Sequence, residues 1–289
     1  MSEIGVTSPE MTVSSRVASG CGPSPEEFWR KYDDIESRLT APLSERMLDL
    51  AGIGSGMRVL DLATGPGEPA LRAARRVGPE GLVVGVDLDD AVLAIAREKA
   101  RQSGLSNLAL RPADAAASDG VPSDFFHAVT VRWGLMYMSA PIAALVNARR
   151  ALLPAGALVA ALWAEPDRVP YATLPRRLLE RYRPLPAIDP EAPGPFRYAD
   201  LDRIRRDFAA AGLSIDHVEE REVTVFESAS DAEMIDWVRA VGLTRLLNEL
   251  SEDDQRAWER DLAVELRRVG ARGSLRLGGV TRIVRARRA

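Results

Sequence analysis

From residue 57 to residue 163 the chain alternates short, almost wholly apolar runs with longer stretches whose apolar residues recur every three or four positions. The runs begin at Val59, Leu82, Leu108, Phe125 and Ala157. Runs of that length, without polar alternation, read as strands buried on both faces. Strand and helix in alternation predict a parallel sheet with helices on both faces, so the fold class is α/β and doubly wound. Ahead of it, Pro25 to Ala51 predicts two short helices, with Phe28, Trp29, Tyr32, Ile35, Leu39, Leu43, Met47 and Leu48 at helical spacing. Behind it, Glu165 to Pro195 is proline-rich and irregular around a helical stretch at Leu174–Tyr182. Asp200–Ala211 predicts a helix and Ser214–Phe226 a sixth strand. Ala232–Leu250 and Glu252–Val269 predict two amphipathic helices. The second has Ser251 as N-cap and Trp258, Leu262, Leu266 and Val269 in one apolar stripe. Leu275–Ala286 predicts a closing strand, and residues 1–24 a mobile tail.

The first run carries the most chemistry. Met57-Arg-Val-Leu-Asp-Leu-Ala-Thr-Gly-Pro-Gly-Glu-Pro-Ala-Leu71 predicts a strand, a glycine turn and a helix opening after Gly67. Gly65 and Gly67 lack a Cβ, so a ligand can lie against the backbone. The helix start then offers it unpaired N–H groups. Dinucleotide enzymes use nearly the same G-x-G-x-x-A pattern. Asp61 discriminates: inside the strand, four positions before Gly65, it repels a pyrophosphate and suits a ligand with a cationic amine. The second strand ends in Asp87, placed to accept both hydroxyls of a ribose. The third leads to Asp114, placed to receive an adenine amino group. The fourth runs into Arg132-Trp-Gly-Leu-Met-Tyr-Met138, and the turn Leu152-Leu-Pro-Ala-Gly156 precedes the fifth.

Together these motifs resemble the class I S-adenosylmethionine (SAM)-dependent methyltransferases, nearest the ubiquinone/menaquinone-type (methyltransferase type 11-like) small-molecule branch. The resemblance is tight over residues 25 to 165 and looser beyond. His127 departs from it, standing where the family usually has Asp. It implies a Rossmann-like seven-stranded sheet with helical cap insertions and a last strand antiparallel beside the sixth. It divides the chain into a tail (1–24), N-terminal helices over the cofactor site (25–56), a SAM-binding core (57–163), and cap segments with the last two strands (164–289). It implies that the backbone of Ala63, Gly65, Pro66 and Gly67 meets the methionine part of SAM, with Asp61 acting near its amino group through the turn. Asp87 is to hold the ribose, Leu88 to pack on the adenine, and Ala113, Asp114 and Ala115 to hold the adenine edge. Arg132 and Tyr32 are to lie near the methionine end.

Methyl transfer from a sulfonium needs little acid–base machinery, and the chain has only two histidines. His127 and His217 fall at strand starts, away from a crevice at the strands' carboxyl ends, so no catalytic base is assigned. Trp133, Met136, Tyr137 and Trp163 follow the fourth and fifth strands. They are expected to wall a planar or apolar methyl acceptor. The long segments Glu165–Tyr198 and Glu227–Gly273 are expected to cap it and set specificity.

Composition narrows the partners. A net charge of −4 gives no support to a general nucleic-acid binder. Arg282, Arg285, Arg287 and Arg288 read as the solvated face of an edge strand. Arginine greatly outnumbers lysine, of which there are two, Lys31 and Lys99; with the specialised cap, this GC-rich signature suggests bacterial secondary metabolism. One cysteine, Cys21, excludes an intrachain disulfide and fits a cytoplasmic protein. Met1–Gly22 lacks a signal-peptide core, no run is long enough to span a membrane, and no metal cluster is visible. The reading is a small-molecule methyltransferase yielding S-adenosyl-L-homocysteine, with O-, N- and C-methylation open and quinone C-methylation the alternative. An NAD(P)-dependent oxidoreductase, a nucleic-acid methyltransferase and a non-catalytic SAM-binding protein fit fewer of the motifs. Oligomeric state is undetermined.

Overall fold

The computed structural model describes residues 23–117, 121–269 and 275–288. The expected tail, apart from Pro23 and Ser24, lies outside them, as do Cys21 and the side chain of Val269.

Seven strands form one sheet, β1 (Arg58–Leu62), β2 (Leu82–Asp87), β3 (Leu108–Pro112), β4 (Phe126–Arg132), β5 (Leu152–Trp163), β6 (Leu213–Ser228) and β7 (Leu275–Arg288). Their order is β3-β2-β1-β4-β5-β7-β6. The first five pair in parallel, and β7 is antiparallel to both β5 and β6. The order reverses between β1 and β4, which opens a crevice beyond their carboxyl ends. Crossovers are made by α3 (Ala70–Val77), α4 (Asp90–Gln102) and α5 (Pro141–Ala151). Val59, Leu60, Val83, Val129 and Val131 are buried between these layers.

α1 (Pro25–Leu39) and α2 (Ala41–Leu50) precede the sheet. Ser24 caps α1 through a reciprocal box with Glu27, which fixes where the helix begins. After β5 come α6 (Pro170–Leu179) and α7 (Leu201–Ala210). α8 (Asp231–Val238), α9 (Thr244–Asn248) and α10 (Glu252–Val269) lie between β6 and β7. The single helix expected over 232–250 is broken: a wider π-type turn, Arg239–Leu243, contains Gly242 at φ 107°. A left-handed residue cannot continue a helix, and glycine reaches that conformation at little cost. The helix expected at 174–182 begins earlier, at Pro170, whose fixed φ suits a first turn. The turn expected at 152–156 is a bulge within β5, where register shifts opposite Phe126 and Ala128.

The arginines near the chain's end are not on an edge. β7 lies inside the sheet, and β6 is the edge strand. Arg282 is 4% exposed. It binds Glu165 at 2.7 Å and Glu220 at 2.9 Å and donates to the Ala199 carbonyl at 2.7 Å. Arg285 and Arg287 both pair with Asp216 of β6, and Arg288 with Asp124. These charges are spent on cross-strand and loop pairs rather than left for solvent.

Candidate functional site

The turn after β1 is built over a fully buried acid. Asp61 accepts hydrogen bonds from Thr130 Oγ1 of β4 at 2.6 Å and Thr64 Oγ1 at 2.7 Å. Gly85 of β2 is its register partner. A Cβ at Gly85 would meet Thr64 Oγ1 at 2.7 Å, so the absence of a side chain there lets Thr64 reach the acid. Burial pushes the Asp61 carboxyl up to about 7, against the two threonine bonds and Arg132, which favour its ionised form. The strand leaves through Ala63 at φ 53° and Gly65 at φ 54°, and Gly67 stands at 112°. A Cβ at Gly67 would meet Leu71 Cδ1 at 2.5 Å, whereas at Gly65 it would meet nothing within 4 Å. Gly67 therefore serves packing, and Gly65 leaves open backbone. Helix α3 starts only at Ala70, later than the expected opening after Gly67, with Pro69 as an N-cap that makes no side-chain bond.

Asp87 ends β2 beside that turn. Its Oδ2 accepts the Gly65 amide at 2.9 Å and its Oδ1 the Asp89 amide at 3.1 Å. Burial raises its carboxyl, and these amides pull it back. Leu88 follows at 50% exposure, the most exposed large apolar side chain described. Ala113 donates its amide to the Asp87 carbonyl at 2.8 Å, which brings the third strand's exit alongside the second's. Asp114 is exposed and accepts the Ala116 amide at 2.8 Å; Ala115, partly buried, offers its carbonyl to Asn147 at 3.1 Å.

Arg132 ends β4 and turns toward α1. It donates to Thr40 Oγ1 and lies 4.0 Å from the Glu36 carboxylate, both partners being buried. Lys99 of α4 binds Asp33 of α1 at 2.6 Å and donates to the Pro66 carbonyl at 3.1 Å. Helix α1 is thus strapped to the glycine turn. Sequence reading missed Asp33, Glu36, Thr40 and Lys99; the signal was available in polar residues on the inner side of a helix whose other inner residues are aromatic. Tyr32 takes a different direction from its expected neighbours. Its ring packs on Phe28 at 5.1 Å and Phe226 at 5.6 Å, with the Lys31–Asp236 pair beside it.

The four expected acceptor-wall residues divide. Trp163 and Met136 are wholly buried and Trp133 is 2% exposed. Trp133, at φ 56°, stacks on Trp163 at 4.5 Å and donates Nε1 to Thr281 at 2.9 Å. Only Tyr137 lines a described cavity. That cavity, about 290 Å3, is bounded by Tyr137, Tyr171 and Pro175 of α6, Phe196, Trp237 of α8 and Leu246 of α9, among others. Trp163 touches it at one remove, its ring 4.8 Å from Tyr171. Gly194, also in the lining, donates to the Met136 carbonyl at 3.0 Å, tying the cap to the exit of β4. The histidines are structural: His127 Nδ1 accepts the Arg58 amide at 2.9 Å, and His217 Nε2 meets Glu219 at 3.0 Å. Among the described residues no cluster of three or more His, Cys, Asp or Glu could hold a metal. No described helix is long and apolar enough to cross a membrane.

Comparison with known proteins agrees with this geometry. A family model described as "Methyltransferase domain" matches residues 53–176. The ubiquinone/menaquinone biosynthesis C-methyltransferase UbiE of Edwardsiella ictaluri is 37% identical over 123 residues, covering 42% of this chain and 49% of that protein. The chain thus spans about half of that relative's length. Among solved structures, a methyltransferase candidate from Bacillus halodurans C-125 superposes with a TM-score of 0.58 at 18% identity, covering 85% of this chain and 98% of that one. The [4+2]-cyclase SpnF superposes at 0.53 with 20% identity, covering 85% and 80%. At those identities the structures speak for fold alone. With the sheet order and the sequence match together, residues 53–176 carry a methyltransferase domain, and the chain's core is similar to the ubiquinone/menaquinone-type C-methyltransferases.

Proposed function

We propose that the chain binds SAM at the β1–β2–β4 rim and methylates a small organic molecule held under the cap. The observation that carries this reading is the Gly65–Asp87 contact above the buried Asp61. It puts open backbone, a ribose-competent carboxylate and a carboxyl-stabilised turn within one hydrogen-bonded unit. The residues suit the cofactor. Asp87 would take the ribose hydroxyls, exposed Leu88 would cover the adenine face, Ala113–Ala115 would meet its edge, and Ala63–Gly67 with Arg132 would face the methionine end. SAM supplies a methyl group on a sulfonium, which is already activated for transfer. What the protein adds is orientation of the acceptor and exclusion of water, worth roughly 7–11 kcal/mol when the geometry is right.

The segments 164–198 and 229–269 carry α6, α8 and α9 and supply most of the cavity lining, so acceptor choice is assigned to them. Relatives named for quinone C-methylation favour that reaction as a second reading. The arginine-rich composition and specialised cap favour secondary metabolism, in the cytoplasm. SpnF, named for a cyclisation, illustrates that the fold does not fix the reaction.

Calorimetric titration with SAM, S-adenosylhomocysteine and NADPH tests the cofactor assignment. Micromolar binding of the two adenosylated sulfur compounds, abolished by Asp87→Ala, is the expected result. Binding of NADPH alone overturns it in favour of an oxidoreductase.

A further inference from the structure

We infer that the acceptor is a flat molecule that enters already ionised, an acidic phenol or enol, with Arg176 of α6 as its counter-charge. This rests on the methyltransferase reading and names its substrate class. Four aromatic residues line the 290 Å3 cavity, Tyr137, Tyr171, Phe196 and Trp237, from four separate parts of the chain. Such walls select a planar ligand by contact with ring faces. No carboxylate and no imidazole is among the residues lining it. Charged groups on the elements around it have partners of their own. Asp236 pairs with Lys31, and Arg239 with Glu259, on the other side of α8. Arg197 donates to the Met138 carbonyl at 2.6 Å.

A neutral hydroxyl must lose its proton as the methyl arrives, and nothing in the lining can take it. An anionic oxygen or carbon needs no such help. Its lone pair forms the bond to the methyl carbon, the carbon–sulfur bond breaks, and that electron pair stays on sulfur as the neutral thioether. One negative and one positive charge cancel, and no proton moves. Arg176 is the one cation in the lining. Its guanidinium is oriented by the Pro186 carbonyl and by Glu180 at 3.7 Å, so the fork is held before a ligand arrives. The long ion pair with a half-exposed Glu180 leaves it able to receive a second anion.

4-Nitrophenol is a suitable probe, because it ionises near neutrality and its two forms differ in colour. Titrating it into the full chain with S-adenosylhomocysteine present, across the pH range from acid to neutral, reports the charge of the bound form. An opposite charge at close range lowers an acid's pKa by roughly 1 to 3 units. The bound dye should therefore stay ionised at least about one unit below its free value. Arg176→Gln should abolish that shift, and Arg176→Lys should retain part of it. 4-Nitroanisole, which cannot ionise, should bind at least about tenfold more weakly, in keeping with one pKa unit. Binding of the neutral dye, equal binding of the anisole, or no dye binding by chain that holds S-adenosylhomocysteine each overturns the inference. Failure to hold S-adenosylhomocysteine sinks the methyltransferase reading instead.

Discussion

At the scale of single residues, Asp61 ties stability to pH. Burial holds its carboxyl up at about 7 in the folded chain, against about 3.9 for a free aspartate. Between those values the folded chain holds a proton that the unfolded chain has lost. Stability therefore falls as pH rises from about 4 to about 7, then levels off. The full swing is at most about 4 kcal/mol, one pKa unit being about 1.4 kcal/mol. Asn can still bond both threonines and never ionises. Urea unfolding of Asp61→Asn and the parent at a series of pH values should diverge by a few kcal/mol in favour of the variant toward pH 8. Parallel curves would rule the buried acid out as the source. Arg282 tests the opposite case, a buried cation. Arg282→Met removes a buried donor to Glu165, Glu220 and the Ala199 carbonyl, while Arg168 still reaches both carboxylates, and should cost about 1–3 kcal/mol by the same measurement. The sequence displayed Asp61, Asp87 and the glycines plainly, because strand ends and turns restrict residue type locally. It could not display that Thr64 and Thr130 hold Asp61, since that depends on β1 lying beside β4, two elements far apart in the chain.

At the scale of elements, α1 is the part whose role exceeds its sequence signal. Its aromatic face announced a buried helix. Its polar contacts with α4 and β4 arise from tertiary placement and carry no local signature. The two lysine pairs differ sharply in burial. Lys31 and Asp236 are 58% and 59% exposed, a setting in which ion pairs are worth about 0–1 kcal/mol, so Lys31→Ala should shift the unfolding midpoint very little. Asp33 is 7% exposed against Lys99, and the lysine also holds the glycine turn. Lys99→Met should weaken SAM binding roughly tenfold, equivalent to about 1.4 kcal/mol, and destabilise the chain by about 1–3 kcal/mol. Replacing Asp33 by Asn in the same chain should recover part of the stability, since the uncompensated carboxylate goes with it; a purely additive double-mutant cycle would deny the coupling. The break at Gly242 was unreadable for a related reason. Glycine inside an apolar periodicity is compatible with a continuous helix, and only packing against the cavity decides otherwise.

At the scale of the whole molecule, the parallel half of the sheet was legible and the antiparallel end was not. Strands alternating with helices leave few topologies for the first five. The resemblance placed β7 antiparallel beside β6, but its position between β5 and β6 comes from the structure alone, and the arginines of β7 gave no sign of it because inner and edge strands can share a composition. The proposed cofactor rim draws on β1, β2, β3 and β4, the proposed acceptor cavity on α6, α8 and the turn between α8 and α9. Exchanging 164–198 and 229–269 for the equivalent segments of a relative should therefore change acceptor preference and leave SAM affinity within about threefold; a loss of SAM binding in such chimaeras would refute the division of labour. The strap has one more consequence. Lys31 and Lys99 are the only side-chain amines in the protein, and one faces solvent while the other is clamped over the turn. An acylating reagent read out by mass spectrometry thus becomes a two-channel clock, with Lys31 timing the reagent and Lys99 timing the opening of α1.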